Sequence, residues 1–300
     1  MSSSPRKVEF HTLDGLTLSG LFYTAGKKQP CIIMTHGLAG RKEQLLPDFA
    51  ERFLEAGYAV LLYDNRNWGE SDGKPRNELD PFQQARDYFQ AFDYAASLPE
   101  VDETMIVYWG TSMSGGTALF AASIDKRIRG VIAQVPFASD DFLEEQRKQI
   151  LPLLFSNQQN VREGAASVMI NATPDSLEEA TQGLSCAALP HPDVFVFLDE
   201  LKRRDIIPFE KNVTLQSMLH VFNFDAKSFI HRIAPTPLLM VVADNDITVP
   251  TSLQLQAFQR ALEPKKLAVI RDAGHFEVYM GRKFEENITI QIKFLEDLFS

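Results

Sequence analysis

Cysteine is scarce in this chain of 300 residues, which holds only Cys31 and Cys186. Two thiols so far apart make no disulfide framework and no four-ligand structural zinc site, and a reducing compartment follows. Long apolar runs are missing too, so no bilayer span is expected. The opening MSSSPRKVEF lacks the apolar segment of a secretory signal, which points to a cytoplasmic protein. Cations are outnumbered, 30 Lys and Arg against 40 Asp and Glu, for a formal net charge of −10. A nucleic-acid partner needs a basic face and is therefore not expected. NWGESDGK has glycines without phosphate-loop spacing, and no G-x-G-x-x-G follows the first strands. With no H-E-x-x-H and no Cys/His cluster, neither a cofactor nor a metal is expected.

What is present is ordinary core material, with 45% apolar and 23% charged residues. That suits one large α/β domain, or a core with an insertion. KVEFHT and LTLSGLFY read as two strands turned at Asp14-Gly15. CIIMTH (31–36) reads as a strand buried on both faces, YAVLLYD (58–64) as the next buried strand, and MIVYW (105–109), VIAQVPF (131–137), PLLMVVAD (237–244) and KLAVIRD as further strands. Helical patterns separate them at 44–56, 81–98, 112–123, 251–262 and 282–299. Asp80 is the expected N-cap of the second, with Pro81 at its first position. Strand and helix in alternation predict a mostly parallel sheet flanked by helices.

The rhythm breaks between Ala138 and His231. DFLEEQRKQILPLLF, DVFVFLDELKRR and LQSMLHVF are helical patterns, strand candidates are few, and Asp175 with Glu178 resembles a capping box. Ninety residues exceed one connection, so the expected division is a core at 1–137 and 232–300 with a helical cap at 138–231.

Candidate chemistry collects at strand ends, where open α/β sheets bind ligands. In VYWGTSMSGG, Ser112 follows a strand and opens a helix, the place of an exposed nucleophile on a sharp turn. Gly110, Ser114, Gly115 and Gly116 keep that turn small. The competing reading has Ser112 only capping the helix. His275 follows KLAVIRD and suits a general base, against the reading of a surface histidine. Both Asp244 and Asp246 follow PLLMVVAD, and its place at the loop tip favours Asp246 as the acid. In HGLAG (36–40), the N–H of Leu38 suits an oxyanion hole together with that of Met113, while His36 is expected to be structural.

In order, HG at 36–37, YDNRNWGESDG at 63–73, GTSMSGG at 110–116, VVADNDITVP at 241–250 and AGHFEVY at 273–279 resemble the α/β-hydrolases. The resemblance covers nearly the whole chain and implies that fold, with Ser112, Asp246 and His275 as triad. Asn67 stands where many relatives carry glycine. WGTSMSGG, ELDPFQQARDY and NVTLQSMLHVFNFDAKSFIHRIAPTPLLMVVADND are similar to the polyketide hydrolases and polyketide transferases of fungal secondary metabolism. In that group the serine at position 114 is a common trait.

The expected function is thus a serine hydrolase or acyltransferase acting through an acyl-enzyme on an ester, thioester or lactone. Its partner would be a largely apolar small-molecule acyl substrate, and the protein a monomer or homodimer. Two alternatives stand beside it. One uses the same residues as general acid and base, without an acyl-enzyme, for cyclisation, isomerisation or C–C cleavage. The other is a non-catalytic binding protein on the same fold.

Overall fold

The computed structural model describes residues 4–300. β1 (Arg6–His11) and β2 (Thr17–Tyr23) form the expected antiparallel pair, Arg6 facing Phe22 and His11 facing Thr17. β3 (Gln29–Thr35), α1 (Leu46–Glu55), β4 (Ala59–Tyr63), α2 (Pro81–Ser97), β5 (Val101–Thr111), α3 (Met113–Ile124) and β6 (Gly130–Gln134) follow. Four helices and two short strands come next: α4 (Glu144–Arg162), β7 (Met169–Asn171), α5 (Leu177–Thr181), α6 (Val194–Arg203), β8 (Asn212–Thr214) and α7 (Leu215–Phe222). β9 (Leu238–Ala243), α8 (Thr251–Arg260), β10 (Lys265–Ile270) and α9 (Gly281–Phe299) complete the chain.

The main sheet has eight strands in the order β1-β2-β4-β3-β5-β6-β9-β10. From β4 to β10 every neighbouring pair is parallel, and only the pairs made by β2 are antiparallel. Successive residues of a central strand serve opposite cores. Cys31 and Ile33 of β3 pack in the core shared with α2 and α3, while Ile32 and Met34 pack in the one shared with α1 and α9. Burial on both faces explains why these strands read as continuous apolar runs.

Local signals set the helix ends. Asp80 caps α2 as expected, its carboxylate accepting from the N–H groups of Phe82 and Gln83 at 3.0 and 3.1 Å. α1 starts two residues later than its periodicity suggested, because Leu45 sits at φ 53 and cannot extend the helix. Two features between β6 and β9 differ from the reading above. The cap of α5 is Ser176, which accepts from Glu179 N–H at 3.1 Å, so the box lies one residue beyond Asp175 and Glu178. β7 and β8 pair as a small antiparallel ribbon, too short to show any period in sequence. Among the described residues, no helix is long and apolar enough to cross a membrane.

β3 sends the chain to β4 on one side and, later, to β5 on the other. The order of strands therefore reverses between β3 and β5, and a crevice opens there at their carboxyl ends. His36 and Ser112 follow those two strands directly.

Candidate active site

Ser112 joins β5 to α3 at φ 57, ψ −124, a conformation costing roughly 1–3 kcal/mol for a residue with a Cβ. Its hydroxyl makes no capping bond to α3, which removes the reading of Ser112 as a mere helix cap. The main chain holds it in place instead. Ser112 N–H donates to Gln134 O at 2.9 Å, and its carbonyl accepts from Phe137 N–H at 2.8 Å and Gly116 N–H at 3.2 Å. The turn leaves no room beside it. A Cβ at Gly110 would strike the Ser114 carbonyl, and one at Gly116 would strike that of Phe137.

Ser114 does more than stay small. Its Oγ bonds Thr35 Oγ1 and lies 3.2 Å from Tyr88 OH, which donates to Trp109 O at 2.8 Å. These hydroxyls are buried and tie the start of α3 to β3 and α2.

His275, fully buried, brings Nε2 to 2.9 Å from Ser112 Oγ and Nδ1 to 2.7 Å from Asp246 Oδ2. A proton on Nδ1, shared with the carboxylate, leaves the Nε2 lone pair facing the serine hydroxyl. Asp246 is held at both oxygens: Oδ1 accepts from Val249 N–H at 2.7 Å, and Oδ2 also accepts from Gln254 Nε2 at 2.9 Å. Asp244 faces elsewhere, accepting from Ala273 N–H at 3.2 Å and Asn245 Nδ2 at 3.0 Å. Of the two aspartates, Asp246 is therefore the partner of His275.

Leu38 lies on the turn after β3, beside Ser112. Neither its N–H nor that of Met113 donates to another group among the described residues. His36 is structural, as expected. Its Nδ1–H donates to Gly37 O at 2.9 Å and its Nε2 accepts from Asn65 N–H at 3.1 Å. Burial pushes the His36 pKa down and keeps the ring neutral. Asn67 takes φ 71, which an asparagine tolerates better than most residues, and its Nδ2 donates to Glu78 O at 3.0 Å.

A narrow pocket opens over Ser112. Thr111, Leu38, Arg41 and Tyr279 line it from the sheet side, and Leu189, Phe197 and Phe209 come from the segment between β6 and β9. Phe197 and Phe209 stack with centroids 5.0 Å apart. Periodicity in DVFVFLDELKRR yields the helix but not the face it turns to the pocket, and an aromatic run of this kind reads from sequence as core. Phe197 serves both places. Gln254 and Arg41 also escaped the sequence reading, since nothing in a lone Gln or Arg marks such a position.

The family model described as the alpha/beta hydrolase fold matches residues 30–279. A polyketide transferase of Penicillium sp is 34% identical over 98% of this chain and 97% of its own length. A thiohydrolase of Aspergillus aculeatus is 31% identical over 98% and 93%. The crystal structure of the alpha/beta hydrolase GrgF from Penicillium sp. sh18 superposes with a TM-score of 0.87 at 31% identity, covering 98% of this chain and 99% of that one. DcsB, solved in complex with its substrate analogue, gives 0.88 at 29% identity, covering 98% and 99%. The chain belongs to the alpha/beta hydrolase fold family and is related within it to fungal polyketide transferases and thiohydrolases.

Proposed function

We propose that the protein is a serine-dependent hydrolase or acyltransferase whose substrate is a polyketide-type ester, thioester or lactone. The observation that carries this reading is the 2.9 Å contact of Ser112 Oγ with His275 Nε2, backed by Asp246, at the floor of a largely apolar pocket. Ser112 Oγ adds to the acyl carbonyl carbon while His275 Nε2 takes the hydroxyl proton. Negative charge moves to the carbonyl oxygen, where the N–H groups of Leu38 and Met113 receive it. The C–S or C–O bond then breaks, and His275 returns the proton to the departing thiol or alcohol. Water, or an acceptor hydroxyl or amine, attacks the acyl-enzyme with His275 again as base. Asp246 keeps the imidazole tautomer and steadies the imidazolium without taking the proton.

Residues 138–231 act as a cap in this reading. Leu189, Phe197 and Phe209 supply an apolar wall for the acyl chain and limit water at the reacting carbonyl. The names of the relatives agree with acyl chemistry of both outcomes, a transferase in one and a thiohydrolase in the other.

A fluorophosphonate probe tests the nucleophile. Wild type gains one adduct on the peptide holding Ser112, and Ser112→Ala gains none. An adduct of equal yield in Ser112→Ala sinks the assignment. Intact-mass trapping with acyl thioesters then tests the covalent step, and turnover without any acyl adduct favours general acid/base chemistry by the same residues.

A further inference from the structure

The segment between β6 and β9 does more than wall the pocket. Asp193 stands immediately before α6, where an aspartate ordinarily accepts from the first N–H groups of its helix. It makes no such bond. Both of its carboxylate oxygens are turned to Thr248 instead, whose Oγ1 donates at 2.8 and 2.9 Å. Thr248 is buried and lies two residues beyond Asp246. The next N–H along, that of Val249, is the donor that fixes Asp246 Oδ1. A continuous path therefore runs from Asp193 through Thr248 and Val249 to Asp246, His275 and Ser112. One turn further along α6, Phe197 faces the acyl pocket.

We infer that Asp193 is a positioning residue for this site: through Thr248 it fixes the loop that presents Asp246, and its carboxylate places a second negative charge behind His275. The inference rests on the reading of Ser112, His275 and Asp246 given above. The titratable groups that face Asp193 are His191 on its own segment, with Asp246 and His275 across the loop. Tyr279, which shares the floor near Asp246, is occupied by Thr111 and stays neutral because burial pushes its pKa up. Burial also raises the Asp193 pKa, and Thr248 works against that rise. An anchored loop also keeps Asp246 aimed at Nδ1 when the pocket fills, and links contact at Phe197 to the readiness of the base.

The rate of fluorophosphonate labelling at Ser112, followed against pH on the full chain, tests this without knowledge of the substrate. The pH profile of that rate reports the coupled Ser112, His275 and Asp246 as a unit. Asp193→Asn keeps an acceptor for Thr248 but removes the charge. The midpoint of that profile is expected to fall relative to wild type, because a negative charge beside the site has been removed. Its plateau rate is expected to fall roughly 3- to 10-fold, the scale of a small loss of alignment. Thr248→Val should lower the plateau similarly, and Thr248→Ser should restore it. A wild-type midpoint in Asp193→Asn, with only its melting temperature lowered, overturns the proposal. Should Asp193→Asn not fold, a wild-type plateau in Thr248→Val overturns it equally. Label on Ser112→Ala would instead defeat the underlying reading, so the two failures are distinct.

Discussion

Asp244 and Asp246 stand two residues apart after β9, and their partners alone separate them. Asp244 has only main-chain and asparagine donors around it, with Arg271 3.9 Å away at the surface. Asp246 receives Val249 N–H, Gln254 Nε2 and the ring of His275. An asparagine at 246 has one acceptor oxygen for three donors, so its amide N–H groups must face either Val249 or the Gln254–His275 side. Turned toward the ring, that amide favours the tautomer with its proton on Nε2, which cannot accept from Ser112. Asp246→Asn is therefore expected to lower kcat/KM by about 10³–10⁴, the scale seen when such an acid loses its charge. Asp244→Asn is expected to stay within about 3-fold, as a substitution at a half-buried carboxylate that makes no contact with the reacting groups. Steady-state kinetics of both variants on one activated ester checks the pair, and equal losses would move the acid role.

At the scale of elements, the junction of α3 with β3 and α2 depends on a side chain that the glycine pattern of the turn does not require. Ser114 Oγ links Thr35 to Tyr88 where no water reaches. Removing it leaves the Thr35 and Tyr88 hydroxyls with one partner fewer. Ser114→Ala should cost about 1–2 kcal/mol, near the range for a lost buried hydrogen bond, and lower the melting temperature by several degrees. Ser114→Gly, although it restores the commoner motif, should cost about 1 kcal/mol more through backbone freedom in the first turn of α3. Thermal unfolding of both variants checks the order, and a glycine variant as stable as wild type would contradict it. What the sequence makes legible follows the same lines. β3, β4, β6 and β9 show as apolar runs because both faces are buried, and Asp80-Pro81 marks α2 because capping is local. The His275–Asp246 and Ser112 placements were legible through chain order. The β7–β8 ribbon, the wall made by Phe197, and the link from Asp193 to Thr248 were not. Each depends on where distant segments meet, and no period or local cap carries that information.

Across the whole molecule, acidic groups exceed basic ones by 10, so the few buried cations carry unusual weight in how stability varies with pH. Lys42 is fully buried behind the turn that carries Leu38. Its Nζ reaches Asp64 Oδ2 at 2.6 Å and Glu70 Oε2 at 2.9 Å, binding the loop after β3 to the loop after β4. The Lys42 hydrogen bond, followed by its charge, holds the Glu70 carboxyl down to about 2 from an ordinary 4.5. Because the folded-state value is the lower one, this contact stabilises the fold fully above pH 4.5 and loses that effect as the pH falls toward 2. Glu70 is 52% exposed, so solvent and salt weaken the contact. Glu70→Gln should therefore melt below wild type at pH 7, with a gap that shrinks steadily on acidification and closes near the bottom of that range. Added salt should narrow the gap at pH 7 more than at pH 3, where part of the charge is already gone. Scanning calorimetry of the two proteins from pH 7 to 2.5 checks this. A gap that stayed constant with pH would mean that Glu70 acts by packing and not by its charge.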